Sequence, residues 1–410
     1  MTIPQKKPEL LAPAGNFEKL EVAVAYGADA VYLAGREFSL RNFSGNFTIT
    51  ELFKAVEFAH QHHVRVYIAC NVYSRTWEQS AITEYLHKIK EISPDALIVA
   101  DPGIIHQAGK IIPEIALHLS TQASTTCLNA VNFWKTIGIK RVNLARELSL
   151  TEIREIASQT DMEIETFIHG AMCISYSGRC LLSSFLSGRD SNRGLCSHPC
   201  RWKYAVVEEQ RPFSFHPLME DHRGSYIFNS KDLCMLAHIP ALVDAGIDSF
   251  KIEGRMKGLN YLASVVKTYR QAIDACIDSP EQYRIKPQWQ YELSRVYHRT
   301  YTTGFYFNQP DEIQPDYENK RTGEIHSFIG RIIDQIQDDE IVITVKNKIS
   351  INDHIEILPP KGRLLKRKVI DIFDENKNSA RHAQPNTSAC LKLNQKCSET
   401  GIVRKVYSIG

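Results

Sequence analysis

Between residue 8 and about residue 275, short β-like runs alternate with amphipathic helical patterns, and that rhythm limits the chain to very few folds. Eight strand candidates stand out: ELLA (9–12), DAVYLA (29–34), VRVYIA (64–69), DALIVA (95–100), ALHLST (116–121), RVNLA (141–145), EIETFI (163–168) and DSFKIE (248–253). Helical stretches such as NFEKLEVAVAYG, ITELFKAVEFAHQHH and TTCLNAVNFWKTIG separate them, several closing on glycine as helix ends often do. Eight βα units in about 270 residues predict an α/β fold, a (β/α)8 TIM-like barrel, with a doubly wound sheet as the alternative.

Two stretches break the rhythm. Residues 171–230 form a long insertion after the seventh strand, and segments of that length inside a compact domain usually serve function. From about residue 321 the runs FIGRIIDQI, EIVITVKN and DHIEILPP alternate with turn residues and predict a small all-β barrel. The expected division is therefore a barrel domain over 1–315, carrying the insertion, and a C-terminal β-barrel domain over 321–410. A chain of 410 residues is long enough for both.

The insertion holds four cysteines, Cys173, Cys180, Cys196 and Cys200, at C-x6-C-x15-C-x3-C spacing. There is no apolar run suited to a secretory leader and no twenty-residue apolar span, so the expected compartment is the cytoplasm, without a membrane partner. In a reducing compartment such a window reads as a metal site rather than a disulfide framework. Soft thiolates select zinc or an iron–sulfur cluster, and the spacing leaves both open. Cys234, in NSKDLC, is an alternate ligand; Cys70, Cys127, Cys276, Cys390 and Cys397 are scattered and read as buried small side chains or surface thiols.

Side chains alternate across a strand, and several of these strands carry polar groups where a barrel interior is normally apolar. Tyr67 and Asn71 share one face of the third strand, His118, Ser120 and Gln122 one face of the fifth, Glu163, Glu165 and His169 one face of the seventh, and Lys251 and Glu253 one face of the eighth. Strand ends add Asp101, Glu147 and Arg255. Such a set either ties the barrel together or forms a polar pocket at its C-terminal mouth, where active sites of this fold lie.

The net charge of +2 offers no whole-molecule attraction for polyanions, so any nucleic acid must meet a local patch. Lys361, Arg363, Lys366, Arg367 and Lys368 crowd one hairpin of the tail. Arg193, Arg201 and Lys203 flank the cysteine window, with Trp202 and Tyr204 interleaved. Cations beside aromatics can grip phosphates and stack unpaired bases, although a solvated charge run has the same composition.

The segment ETFIHGAMCISYSGRCLLSSFLSGRDSNRGLCSHPCRWKY closely resembles the hallmark region of the collagenase-like peptidase family of unassigned type. LLAPAGNFEKLEVAVAYGADAVYLAG, DALIVADPG, HLSTQAS, ARELSLTEI, NSKDL and DSFKIEGRMK extend the resemblance over nearly the whole barrel. The tail, with VKNKISINDHIEILPPKG, is similar to that of the branch named for tRNA hydroxylation. The resemblance implies an oxygen-sensitive 4Fe–4S cluster on Cys173, Cys180, Cys196 and Cys200, and hydroxylation without molecular oxygen as donor. Other branches act on a ubiquinone precursor or on ribosomal RNA; the tRNA branch makes 5-hydroxyuridine at the wobble position in a reaction linked to prephenate. The quinone branch takes a cysteine further along the chain in place of the Cys200 position, and here both Cys200 and Cys234 are present. Retention of the Cys200 position, together with the tail, favours the tRNA branch.

Enzyme classes then separate on site logic. Proteolysis needs a nucleophile beside a base, or an activated water, and neither an H-E-x-x-H helix nor a G-x-S-x-G elbow occurs. A thiol protease would need one clustered cysteine released beside His169 or His198. Hydroxylation fits better, with His169, Glu165 and Gln122 as candidates for pocket chemistry and Arg146, Arg255 and Lys257 as contacts to an anion such as a carboxylate or phosphate. The resemblance implies prephenate as the small carboxylate co-substrate. The expected partners are tRNA and an electron-transfer or family partner protein. A cluster-bearing scaffold that acts only with such a partner is the non-enzymatic rival.

Overall fold

The structure, a computed structural model, describes residues 6–39, 45–172, 180–201, 206–208, 211–216, 220–221, 224–225, 231–307, 327–397 and 400–406. Seven strands open the chain: β1 (Glu9–Pro13), β2 (Ala30–Leu33), β3 (Arg65–Cys70), β4 (Ala96–Val99), β5 (Ala116–Leu119), β6 (Ile139–Asn143) and β7 (Glu163–Ala171). After the insertion come β8 (Asp232–Cys234) and β9 (Ser249–Ile252). Strands β1 to β7 pair in parallel in chain order, and β9 pairs in parallel with both β7 and β1, so eight strands close a barrel. The eight strands expected from periodicity are these eight.

Helices cover the barrel because their starts are written locally. Asn16 caps α1 (Phe17–Ala25), and Thr48 with Glu51 forms a capping box on α2 (Ile49–Gln61). After α3 (Gln79–Ile92), Asp101 at the end of β4 caps α4 (Pro102–Ile111), accepting from the Ile104 amide at 2.9 Å. Its carboxylate also accepts from the Ser74 hydroxyl at 3.0 Å, so this strand-end acid serves the scaffold. Then α5 (Leu128–Thr136) and α6 (Leu150–Ser158), the latter started by a Ser149–Glu152 capping box, complete the first six units. The short α7 (Leu182–Ser187) lies within the insertion and α8 (Ile239–Asp244) after it, and α9 (Leu259–Asp278) and α10 (Pro287–Ser294) follow the last barrel strand.

One irregularity shapes the site. β7 runs three residues past the predicted end at 168, and β8 returns antiparallel against its extension, with Cys234 opposite His169 and Asp232 opposite Ala171. Lower down, β7 pairs with β9, where Lys251 faces Phe167 but the next residue, Ile252, faces His169. Ile168 is thus the extra residue of a bulge, and side chains above it change sides. Gly170, at φ +107°, permits the bend: a Cβ there would lie 2.6 Å from the Glu253 carbonyl oxygen.

The tail is a closed antiparallel barrel of six strands: β10 (Ser327–Gln337), β11 (Glu340–Val345), β12 (His354–Leu358), β13 (Leu365–Phe373), β14 (Ser388–Leu393) and β15 (Ile402–Lys405). Its inward face is aliphatic, with Ile329, Ile341, Ile343, Ile357, Val369, Leu391 and Val403 all buried. It is fastened to α1, α9 and α10 by polar contacts. Tyr26 Oη donates to the Leu358 carbonyl at 2.6 Å and accepts from the Ile402 amide at 3.1 Å. Arg404, fully buried, pairs with Glu292 and donates to Ser264 at 3.0 Å, while Arg295 pairs with Glu356 at 2.6 Å. Among the described residues, no helix is long and apolar enough to cross a membrane.

Candidate active site

The lower half of the barrel is filled by ions rather than by the usual branched side chains. Arg141, 2% exposed, pairs with Glu9 at 2.5 Å and Glu163 at 2.7 Å; Lys251 pairs with Glu165 at 2.7 Å. Asn143 Nδ2 donates to Glu165 at 2.9 Å, Ser249 Oγ to Glu9 and Glu165 at 3.2 Å each, and Tyr67 Oη to Glu9 at 2.7 Å. Burial pushes the Glu165 carboxyl upward, but Lys251 and then Arg141 outweigh it and hold it below the usual carboxylate range. Glu165 is therefore an ionised strut in the barrel floor, well supplied with donors, and not a poised acid. His118, edge-on to the Tyr67 ring at 4.6 Å, is pushed down to about 3 by burial and then by Arg141, so it is neutral.

Above this floor a pocket enclosing about 70 Å³ opens at the C-terminal ends of the strands. Asn71, Ser120, Gln122, Asn143, Arg146, Lys251, Glu253 and Arg255 supply its polar lining, and Tyr32, Ala69, Ile98, Thr121 and Phe167 the rest. Of the six pocket residues expected from sequence, Gln122, Arg146 and Arg255 are here. The Gln122 backbone is fixed at both ends: its amide donates to Ser120 Oγ at 3.3 Å and its carbonyl accepts from Tyr73 Oη at 2.7 Å. Arg146 lies over the Phe167 ring at 5.3 Å and donates to the Ala171 carbonyl at 3.3 Å. Arg255, 4% exposed, donates to Ser39 Oγ at 2.8 Å. Three cations and one carboxylate line this pocket, which gives it a chemical bias toward a small anion.

The other three expectations are corrected. Glu165 lies in the floor. His169 does not enter the pocket: standing opposite the outward-facing Ile252, its ring is buried against Tyr261, Tyr269 and Tyr301, with Nδ1 3.2 Å from Tyr269 Oη. Burial pushes its imidazole down to about 3, a value unsuited to a general base at neutral pH. Lys257 turns along the rim to donate to the Tyr297 carbonyl at 3.1 Å and is absent from the pocket lining. In compensation, the pocket recruits Tyr32, Phe167 and Asn143, which lie on the pocket face of their strands and carried no separate signal in the sequence.

The cysteine insertion is tied to the rim of this pocket. Arg193 donates to Glu78 at 2.9 Å and to the Tyr73 carbonyl at 3.2 Å, joining the insertion to the loop after β3. Cys180, Cys196 and Cys200 are half-buried; Cys173, Trp202, Lys203 and Tyr204 lie outside the described residues. The segment around Cys196 is held by Ser197, whose hydroxyl lies 3.1 Å from Ser183 Oγ and 2.7 Å from Ser187 Oγ. Ser191 Oγ donates to the Cys180 carbonyl at 2.7 Å. The His198 amide donates to Cys196 Sγ at 3.4 Å. Among the described residues no three His, Cys, Asp or Glu side chains converge as metal ligands. The donor chemistry, soft thiols with one sulfur already accepting an amide, fits a thiolate-held metal or cluster. Cys234 lies beside His169, with Tyr269 Oη 3.7 Å from its sulfur and its thiol pushed up by burial.

The peptidase family U32 model matches residues 15–315, and the peptidase family U32 C-terminal domain matches residues 324–404. The chain belongs to peptidase family U32. It is 40% identical over 409 residues to tRNA hydroxylation protein P1 of Bacillus subtilis, covering 98% of this chain and 95% of that one. It is 36% identical over 402 residues to tRNA hydroxylation protein P of Escherichia coli, covering 87% of each. A 23S rRNA 5-hydroxycytidine synthase of Escherichia coli is 31% identical over 386 residues, covering 90% of this chain and 54% of that protein. Family membership accounts for both domains and for the long motifs that run through the strand ends.

Proposed function

We propose that this protein is a tRNA hydroxylase that supports formation of 5-hydroxyuridine at the wobble position, without O2 as donor and with prephenate as the linked co-substrate. The observation that supports it most directly is the cationic pocket at the barrel mouth, bordered by the cysteine insertion, in a chain whose relatives are named for tRNA hydroxylation. Cys173, Cys180, Cys196 and Cys200 would hold a 4Fe–4S cluster. When bound, the cluster supplies electron transfer or activation of an oxygenated small molecule.

The chain's own residues do the rest. Arg146 and Arg255 offer guanidinium groups suited to a carboxylate, each oriented by a second contact, so little reorganisation is needed on binding. Lys251, paired with Glu165, lies over the Tyr32 ring at 4.7 Å and carries a cation from the floor into the pocket lining. Gln122, with its backbone fixed, presents a neutral donor and acceptor at the same level. Tyr32 and Phe167 add aromatic surface to the lining. A loop uridine is already unpaired, so its entry costs little.

A thiol-protease reading is disfavoured by Cys234. Among the described residues that sulfur stands opposite His169, yet it is buried with its thiol pushed up rather than activated. The decisive experiment is nucleoside mass spectrometry of tRNA from cells lacking the protein. Loss of 5-hydroxyuridine, restored by the wild-type chain and not by Arg255→Met, is expected. An unchanged nucleoside profile, or cleavage of gelatin by the purified protein, would overturn the reading.

A further inference from the structure

The rim of the pocket carries two large aromatic rings that the fold leaves in water. Trp77, on the loop after β3, is 77% exposed, and Tyr297, next to the loop after β9, is 62% exposed. Each has a cation at its face: the Arg193 guanidinium lies 5.7 Å from the Trp77 ring centre, and Lys257 Nζ lies 5.4 Å from that of Tyr297. Arg75, also exposed, stands two residues before Trp77.

Neither ring sits on a loose loop. The turn bearing Trp77 is fixed by the Arg75 amide donating to Glu78 at 2.8 Å and by Arg193 donating to the same carboxylate. The same loop reaches the pocket through Tyr73, which donates to the carbonyl of pocket-lining Gln122, and through Asn71, itself part of the lining. On the other side, Lys257 donates to the Tyr297 carbonyl and also lies 5.0 Å from the Tyr261 ring, two residues beyond pocket-lining Arg255.

We propose that Trp77 and Tyr297 are stacking platforms for unpaired RNA bases flanking the nucleotide that enters the pocket, with Arg75, Arg193 and Lys257 beside them for the phosphates. The inference rests on the reading that RNA is the substrate. A flat π-face accepts any unpaired base, and neighbouring cations track the backbone. A protein-docking face would instead be contiguous and apolar at its centre, with charges depleted there. Trp77 stands on the loop after β3 and Tyr297 on the segment after α10, each bordered by a cation and each linked to a pocket-lining loop, an arrangement suited to a single strand that enters the mouth.

The test uses the full chain, purified anaerobically, with a fluorescently labelled anticodon stem–loop RNA and a blunt RNA duplex of equal charge. Trp77→Ala and Tyr297→Ala are each expected to weaken stem–loop binding by roughly tenfold, as loss of one base stack does, while duplex binding stays unchanged. Trp77→Phe should recover most of the affinity. Thermal melts matching the wild type exclude misfolding, and a raised KM for tRNA with kcat little altered separates positioning from chemistry. Unchanged stem–loop affinity in both alanine variants, or equal losses on stem–loop and duplex, overturns the platform role while leaving the hydroxylase reading intact. Failure of the wild-type chain to bind any RNA overturns both.

Discussion

Lys251 Nζ lies 2.7 Å from Glu165 Oε1 inside the barrel, with neither side chain more than 6% exposed. The pair, with Arg141, occupies space that branched aliphatic residues normally fill in this fold. Removing one partner strands a buried charge. Lys251→Met is therefore expected to destabilise the protein by about 3 kcal/mol, read as a lower urea midpoint. A smaller loss is expected for the double replacement Lys251→Met with Glu165→Leu than for the sum of the singles, because the second change removes the stranded charge.

His118 makes the same floor sensitive to acid. Its folded-state value is about 3, against about 6.5 for an unperturbed histidine, so between those limits the unfolded chain binds more protons than the folded one. Stability then rises with pH across that window and is lost as pH falls from about 6.5 toward 3. Chemical denaturation at pH 7 and pH 5 should show the decline, and His118→Asn should lessen the slope by up to about 1.4 kcal/mol per pH unit. An unchanged slope in the variant would mean that carboxylates alone govern acid sensitivity.

The two ends of the cysteine series should behave differently. Anaerobically purified wild-type protein is expected to contain iron and sulfide, with visible absorption from the cluster. Cys180→Ala and Cys196→Ala should lose both. Cys234→Ala should retain them, because that thiol is buried beside His169 and Tyr269 with its proton held on by burial, the opposite of what a thiolate ligand needs. Zinc in place of iron, or loss of metal in Cys234→Ala, would contradict this assignment.

Arg255→Met should weaken binding of prephenate by roughly ten- to a hundredfold, the usual span for losing a charge-assisted hydrogen bond. Calorimetry on the anaerobic protein reads this directly. Equal affinity in the variant would move the anion site away from this arginine.

Much of this architecture is legible in the residues. The eight barrel strands follow from apolar runs spaced by amphipathic helices, and the tail barrel from runs such as EIVITVKN, whose alternate positions Ile341, Ile343 and Val345 are buried. Gln122, Arg146 and Arg255 follow from their positions at strand ends. His169 does not, because parity counting assumes an unbroken ladder, and one extra residue at Ile168 reverses the facing of everything above it. The one sequence hint is Gly170, immediately after the histidine, where only a residue without Cβ fits against the Glu253 carbonyl. Glu165 was legible as inward-facing but not as deep, since depth depends on barrel stagger. Trp77 carried no periodic signal at all; its exposure is visible only once the loop is folded.

Tyr26, Arg404 and Arg295 seat the tail barrel on α1, α9 and α10 through buried hydrogen bonds and ion pairs, not through a swinging tether. The basic hairpin at Lys361 to Lys368 is thereby held at a set span and angle from the pocket. An RNA touching both would be measured as by a caliper: the molecule that fits is the one whose shape places an unpaired base at the mouth while its backbone meets the hairpin. Overall shape, and not either contact alone, would then decide which molecule engages both.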